Sequence, residues 1–219
     1  MARPSKPILS PDLIYRTALN QLDRTGSLNM PELARELGVS VSSVYHHVKG
    51  RTGVLEGVRA VIADWDCGDP DDWEEMVRRW AGHYRNAFAR HPGAIPALVG
   101  QAVSDPSTLR QYDSLATKLT NTGFSARSIV LSVSALDVLC LGAALDASAP
   151  SMVWTESPES SSPLHDAAVE AGLTDDRSRA AFEVQLGWVI AGMSELLAAD
   201  RTESVPRPDL STFSERSSS

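Results

Sequence analysis

Asn29 to Leu55, NMPELARELGVSVSSVYHHVKGRTGVL, is the stretch that decides the fold of this chain. It reads as two short amphipathic helices joined by Gly38-Val39-Ser40, the layout of a helix-turn-helix. Asn29 caps the first helix, with Glu32 three residues on as its capping-box partner. Pro31 is tolerated in the first turn, where amides have no intrahelical acceptor. Leu33, Ala34 and Leu37 share one face, and Gly38 is free to take the left-handed conformation that ends the helix. Ser40 caps the second helix. Its Val44 and Val48 point inward and leave Ser42, Ser43, Tyr45, His46 and His47 on the remaining surface, with Lys49 and Arg51 directly after. Hydroxyls, an aromatic ring, imidazoles and two cations make a surface suited to a polar, anionic partner.

These residues resemble the tetracycline-repressor (TetR) family of transcription regulators. The resemblance is carried by Leu33-Ala34, Leu37-Gly38-Val39, Val44-Tyr45-His46-His47-Val48-Lys49 and the entry into the next helix from Gly50-Arg51 to Leu55. It covers residues 1–65, and beyond them the chain matches as a helical pattern. It implies an all-α fold with a three-helix head and a larger helical body that binds an effector and dimerises. It also implies DNA contacts from Val41, Ser42, Ser43, Tyr45, His46, His47 and Arg51. The sequence departs from the tetracycline repressor at Val41, where that protein has a base-reading amide, and at His46, where it has an indole. A different operator sequence follows. In the tetracycline-binding members a His shortly after the glycine matching Gly93 helps coordinate magnesium. Ala97 stands at that place, which argues against a metal-chelated tetracycline.

Side-chain chemistry assigns roles on the same surface. Tyr45 and Ser43 are placed to hydrogen-bond phosphate, as are the amides near Ser40. Lys49 and Arg51 add charge that is returned as counterion release. Ser42, His46 and Val41 face base edges, Val41 toward a thymine methyl. With Asn29 at the start of the first helix, the candidate DNA-binding set is Asn29, Val41, Ser42, Ser43, Tyr45, His46, His47, Lys49 and Arg51. His46-His47 is not a metal pair, because adjacent helical residues point about 100° apart and no third ligand is near.

Charge is unevenly divided along the chain of 219 residues. From Met1 to Trp65, eight Lys and Arg (Arg3, Lys6, Arg16, Arg24, Arg35, Lys49, Arg51, Arg59) stand against six acids (Asp12, Asp23, Glu32, Glu36, Glu56, Asp64), a net +2. The whole chain carries −8, so the remainder carries −10, from 12 basic and 22 acidic residues. An acidic body behind a basic head orients an encounter with DNA, since like charge pushes the body away from phosphate. No apolar run near the roughly 18 residues of a membrane span is read. The start, MARPSKPILSPD, lacks the apolar segment of a secretory signal. A cytoplasmic location is expected. Cys67 and Cys140 lie far apart without paired spacing, so they read as packing residues rather than a disulfide or a zinc site.

In chain order, Ser10-Pro11-Asp12 opens the first helix, Ile14, Ala18 and Leu22 form its buried stripe, and Gly26 ends it. Gly50 to Trp65 reads as a fourth helix, with Leu55, Val58 and Ile62 on one side, long enough to act as a lever between head and body. CGDPDD, Cys67 to Asp72, leads into a helix from Trp73 to Arg90 with Met76, Trp80, Tyr84 and Phe88 on one stripe. A short helix from Ile95 to Val99 precedes one opened by Ser104-Asp105-Pro106 and closed by Asn121-Thr122-Gly123. Ala126 to Leu145 is apolar almost all round, so it must be buried on more than one face. Ala149 to Leu164 reads as a mobile loop and His165 to Ala171 as a short helix. The last helix runs from Asp176 to Ala199, its Gly187 and Gly192 pointing to close backbone approach. The expected domains are 1–66 for DNA binding, 67–200 for effector binding and dimerisation, and 201–219 as a disordered tail.

The two small-residue-rich helices are the dimer candidates, one pair from each subunit making a four-helix bundle. Two-fold symmetry also suits DNA, because dimers place two heads one helical turn apart, about 34 Å. The candidate cavity walls are Trp80, His83, Tyr84, Phe88, Leu98, Tyr112, Leu115, Leu119, Phe124, Leu136, Asp137 and Cys140. They suit an apolar or aromatic molecule oriented by His83 or Asp137. No GxSxG, HExxH or phosphate loop marks an enzyme, and no cofactor or metal is expected. The expected function is a repressor that binds a near-palindromic operator as a homodimer and is released by a small effector. The alternative is a helical interaction protein whose head does not bind DNA.

Overall fold

The computed structural model of the chain describes residues 9–150, 153–154, 162–172 and 177–203. Among the described residues there are ten α-helices and no strand.

The head is built from α1 (Pro11–Thr25), α2 (Met30–Leu37) and α3 (Val41–His47). Each starts where a side-chain oxygen replaces a missing helical acceptor. Ser10 accepts from the Leu13 N–H, Asn29 from Glu32 and Ser40 from Ser43. Gly26 and Gly38 end α1 and α2 at φ 69° and 70°, the left-handed region. Ile14, Ala18, Leu22, Leu33 and Val44 close over one another in the centre.

Two local expectations are corrected here. Half of the capping box is replaced, because the Asn29 N–H donates to Oε1 of fully buried Gln21 at 2.8 Å. Glu32 instead pairs with Arg35. A buried carboxamide must find a partner, and this amide is the one within its reach. Val48 is buried as expected, but it stands just beyond α3 in extended conformation at φ −137°. The chain then turns at Gly50, φ 67°, into the next helix.

That helix, α4 (Gly50–Ile62), ends three residues before Trp65. Trp65 leaves the helical path to set its ring edge-on to Tyr84, with centroids 5.6 Å apart, while its carbonyl accepts from Gln111. α4 packs along α1 at one end and meets α6 and α7 at the other, so it joins head to body.

The body comprises α5 (Trp73–Ala89), α6 (Ile95–Leu98), α7 (Pro106–Thr122), α8 (Ala126–Asp146), α9 (Pro163–Ala171) and α10 (Arg177–Glu203). α8 lies between α5, α7 and α10. Trp80, Tyr84 and Phe88 of α5, Leu115 and Leu119 of α7, Leu136 and Cys140 of α8, and Ile190 and Met193 of α10 form the core.

α8 departs from expectation twice. It is long and apolar enough to cross a membrane, although no such run was read from the sequence. Its packing against three helices and its mid-helix Asp137, which accepts two tyrosine hydroxyls, mark it as a core helix. Only part of its surface is buried within one chain. Val130 is 64% exposed and Val138 73%, and on α10 Trp188 is 71% exposed. Gly142, Gly187 and Gly192 face open space, so the close backbone approach expected at the α10 glycines is absent within one protomer.

The termini of the last elements also shift. α9 begins at Pro163, where proline fits the first turn, and α10 continues past Ala199 to Glu203. Asp200 holds the Ser125 N–H and Arg201 reaches the Thr122 carbonyl, which ties this last turn to the α7–α8 corner. Asp176, most of the expected loop and residues 204–219 of the expected tail lie outside the described residues.

Candidate nucleic-acid interface and effector cleft

The recognition surface is presented by α3 and the turn after it. Because Val44 and Val48 are buried, the rest of the short helix is turned outward, and Tyr45, His46, His47, Lys49 and Arg51 are all exposed. Tyr45, at 47% exposure, holds a large ring that the described residues leave in solvent. Ser40, Ser42 and Ser43 form a hydroxyl cluster at the start of α3, with Ser40 Oγ 2.9 Å from Ser42 and 2.8 Å from Ser43. These hydroxyls stand at the N-terminus of α3, where the helix dipole favours an anionic oxygen. Val41 is half-buried beside them. Asn29 stands apart in role, since its side chain is occupied in capping α2.

The residues expected around a cavity are divided by the structure. Trp80, Phe88, Leu98, Leu115, Leu119, Leu136 and Cys140 are sealed in the core, each 1% exposed or less. Phe124 packs edge-on to Trp73 at the far end of α7. His83 is exposed on α5 and is not among the cleft-lining residues, so it does not share a site with Asp137. The reason is helical phase: His83 lies one residue off the stripe that Trp80, Tyr84 and Phe88 bury.

Tyr112 and Asp137 do meet. They line a cleft of about 290 Å³ with Val103, Leu109, Val133 and Ser134, between α7, α8 and the segment before α7. Asp137 Oδ1 accepts from the Tyr84 hydroxyl at 2.7 Å and the Tyr112 hydroxyl at 2.8 Å. Burial drives both phenols far above their ordinary value and neighbouring charge adds to it, so both remain donors. Arg59 pulls Tyr112 the other way, which puts the cation of α4 within electrostatic reach of this network. Trp80 stacks on Tyr84 at 5.0 Å and Tyr84 lies tilted against Phe88 at 4.8 Å, so the ring whose hydroxyl holds Asp137 is itself fixed by its α5 neighbours.

A second cleft of about 410 Å³ opens between α8 and α10, with Val138, Gly142, Asp146, Trp154, Arg177 and Phe182 around it. The Arg177 guanidinium donates to Asp146 at 2.7 Å and lies over the Trp154 ring. The sequence reading missed this cleft and the roles of Arg59, Val103, Val133 and Ser134. Arg59 carried a signal, being a cation on the apolar side of a lever helix four residues after Leu55. The others carried none, since small and branched apolar residues look alike in core and cleft.

Comparison with known proteins gives consistent results. Residues 68–197 match the family described as "Tetracyclin repressor-like, C-terminal domain". Tetracycline repressor protein class D of Escherichia coli is 28% identical over 202 residues, covering 81% of this chain and 91% of that protein. The fold resembles apo ActR from Streptomyces coelicolor with TM-score 0.73 and 24% identity, over 91% of this chain and 100% of that one. ActR in complex with actinorhodin gives TM-score 0.68 and 22% identity, over 85% and 96% of the two chains.

Proposed function

As this chain belongs to the tetracycline-repressor-like (TetR) family of ligand-responsive transcriptional regulators, we propose that it is a repressor. It binds a near-palindromic operator as a homodimer and is released by a small apolar or aromatic effector. The observation that carries this reading is the exposed polar and cationic face of α3, held on a buried Val44-Val48 anchor and left uncovered by the described residues. Residues 1–66 form the DNA-binding unit and 67–200 the effector and dimer unit. Val41, Ser42, Ser43, Tyr45, His46, His47, Lys49 and Arg51 contact the duplex. Asn29 belongs to this face as the cap that fixes α2 behind it.

The dimer reading rests on α8 and α10. Val130, Val138, Val184 and Trp188 are apolar, exposed and contributed by the two helices that also carry the open glycines. A second protomer laid on this face buries them and lets backbones approach at Gly142, Gly187 and Gly192. The effector enters the cleft at Tyr112 and Asp137. The protein acts in the cytoplasm, where DNA and effector meet. The relative named for tetracycline and the ActR complex with actinorhodin support a ring-bearing ligand class without identifying it.

Selection of bound duplexes from a random DNA pool tests this function, with sedimentation run in parallel. A recovered inverted repeat and a wild-type dimer that becomes monomeric in Trp188→Glu would support it. Recovery of no preferred sequence would favour a helical interaction protein instead.

A further inference from the structure

The proposed effector site has an uneven chemistry. Asp137 projects into a cleft whose other walls are Val103, Leu109, Val133, Ser134 and Tyr112. Both phenol donors converge on Oδ1, and Oδ2 has no hydrogen-bond partner among the described residues. No Lys, Arg or His forms an ion pair with Asp137 among those residues. Two guanidiniums that act electrostatically on its neighbours Tyr112 and Cys140 make their bonds elsewhere: Arg59 to the Leu98 carbonyl and Arg85 to Asn86, Ser178 and the Phe182 ring. Asp137 is half-buried, so Oδ2 meets water in the open cleft and presents there an acceptor that the donor of a ligand can take over.

Resting on the reading of this cleft as the effector site, we infer that the effector is an organic cation. Its apolar or aromatic body fills the space against Val133 and Leu109, and its protonated amine donates to Asp137 Oδ2. A charge-assisted bond to this carboxylate is the strongest single polar contact the cleft offers. The Tyr112 ring at the cleft wall adds attraction for the same positive group. Tyr84 and Tyr112 hold Oδ1 and leave Oδ2 as the carboxylate oxygen presented to a ligand. The same carboxylate repels anions, so an acid of identical shape is excluded.

Titration calorimetry of the full chain with three probes of one shape tests the inference: naphthylmethylamine, naphthylmethanol and naphthoate at neutral pH. The amine should bind about tenfold or more tightly than the alcohol, the size of one charged hydrogen bond, and naphthoate most weakly. Asp137→Asn should reduce the gap between amine and alcohol to about twofold or less, while Val133→Phe, which fills the cleft, should weaken both together. Equal binding of amine and alcohol, a preference that survives Asp137→Asn, or no binding by any probe would overturn the inference. Operator binding measured on the same samples separates the two readings. Selective amine binding that leaves operator affinity unchanged supports the cation site and counts against its role in release. Operator binding without amine preference overturns the cation site alone.

Discussion

Arg59 of α4 donates Nη2 to the main-chain carbonyl of Leu98 at the end of α6, 2.6 Å away, and is only 7% exposed. A buried guanidinium here is held by a carbonyl rather than a carboxylate, so the bond depends on the register of the two helices. α4 enters from the recognition turn at Gly50, and α6 lies at the edge of the body core. Movement of the segment after α6, which includes Val103 of the proposed effector cleft, would be passed to α4 through this bond. In physical terms, a ligand shifts the heads only by its differential affinity for the two registers.

Arg59→Met should lower stability by about 1.5–3 kcal/mol, because it leaves the Leu98 carbonyl without its charged donor. It should also reduce the effect of any releasing ligand on operator affinity. Urea unfolding and operator titration with and without ligand check both. Full retention of ligand response would show that coupling runs by another route.

Gly93 packs where head meets body. A Cβ there would lie 2.5 Å from the Leu22 carbonyl oxygen and 3.0 Å from Asp23 Cα, both backbone atoms of α1. Beside it, His91 Nδ1 sits 2.8 Å from Asp23 Oδ2, a second contact across the same seam. Gly93→Ala should cost about 1–3 kcal/mol by overpacking. Gly82→Ala, inside α5 with open space around it, should be neutral or stabilise by up to about 1 kcal/mol. Unfolding curves should show a loss for Gly93→Ala and none for Gly82→Ala, and similar losses in both would contradict the seam.

On the recognition face, Lys49→Ala should weaken binding to all duplexes alike and reduce the salt slope by about one unit. His46→Ala should instead change which bases are tolerated at the operator. Salt-dependent binding and repeated selection with each variant separate the two behaviours. If neither variant altered binding, α3 would not be the reading helix.

Asp146 links α8 to α10 through Arg177, and this hydrogen bond holds its carboxyl below the ordinary 3.8, with burial opposing. A depressed carboxyl contributes its stability above the unfolded value, and loses it as pH falls through the folded one. Wild-type stability should therefore decline below about pH 3.8 more steeply than that of Asp146→Asn. The pair is partly exposed, so the difference should stay under about 1 kcal/mol. Melting curves from pH 5 to about 2 measure it, and parallel slopes would remove the pair from the account.

Much of the fold was legible because its signals are local. Ser10, Asn29, Ser40 and Asp105 cap helices with oxygens aimed at amides two or three residues on, and Gly26, Gly38 and Gly123 end them in the left-handed region. The outward α3 face followed from a period that buries Val44. What was not legible depends on distant partners. Gln21 taking the Asn29 amide, Arg59 reaching Leu98, and Tyr84 with Tyr112 converging on Asp137 all join residues of different helices or their caps. The aromatic stripe of α5 gave no sign that Trp80, Tyr84 and Phe88 would all be sealed in the core rather than line a cleft, since both need the same spacing. Nor did the composition of α8 distinguish a helix buried in one chain from one that waits for a second copy.

The most direct test of the account is a fluorescence-anisotropy titration of the selected operator duplex with the full chain, against a scrambled duplex of the same length and salt. The account predicts saturation at two protomers per duplex, with affinity for the selected sequence at least about a thousandfold above the scrambled one. Equal affinity for both duplexes, or saturation by a single protomer, would contradict it.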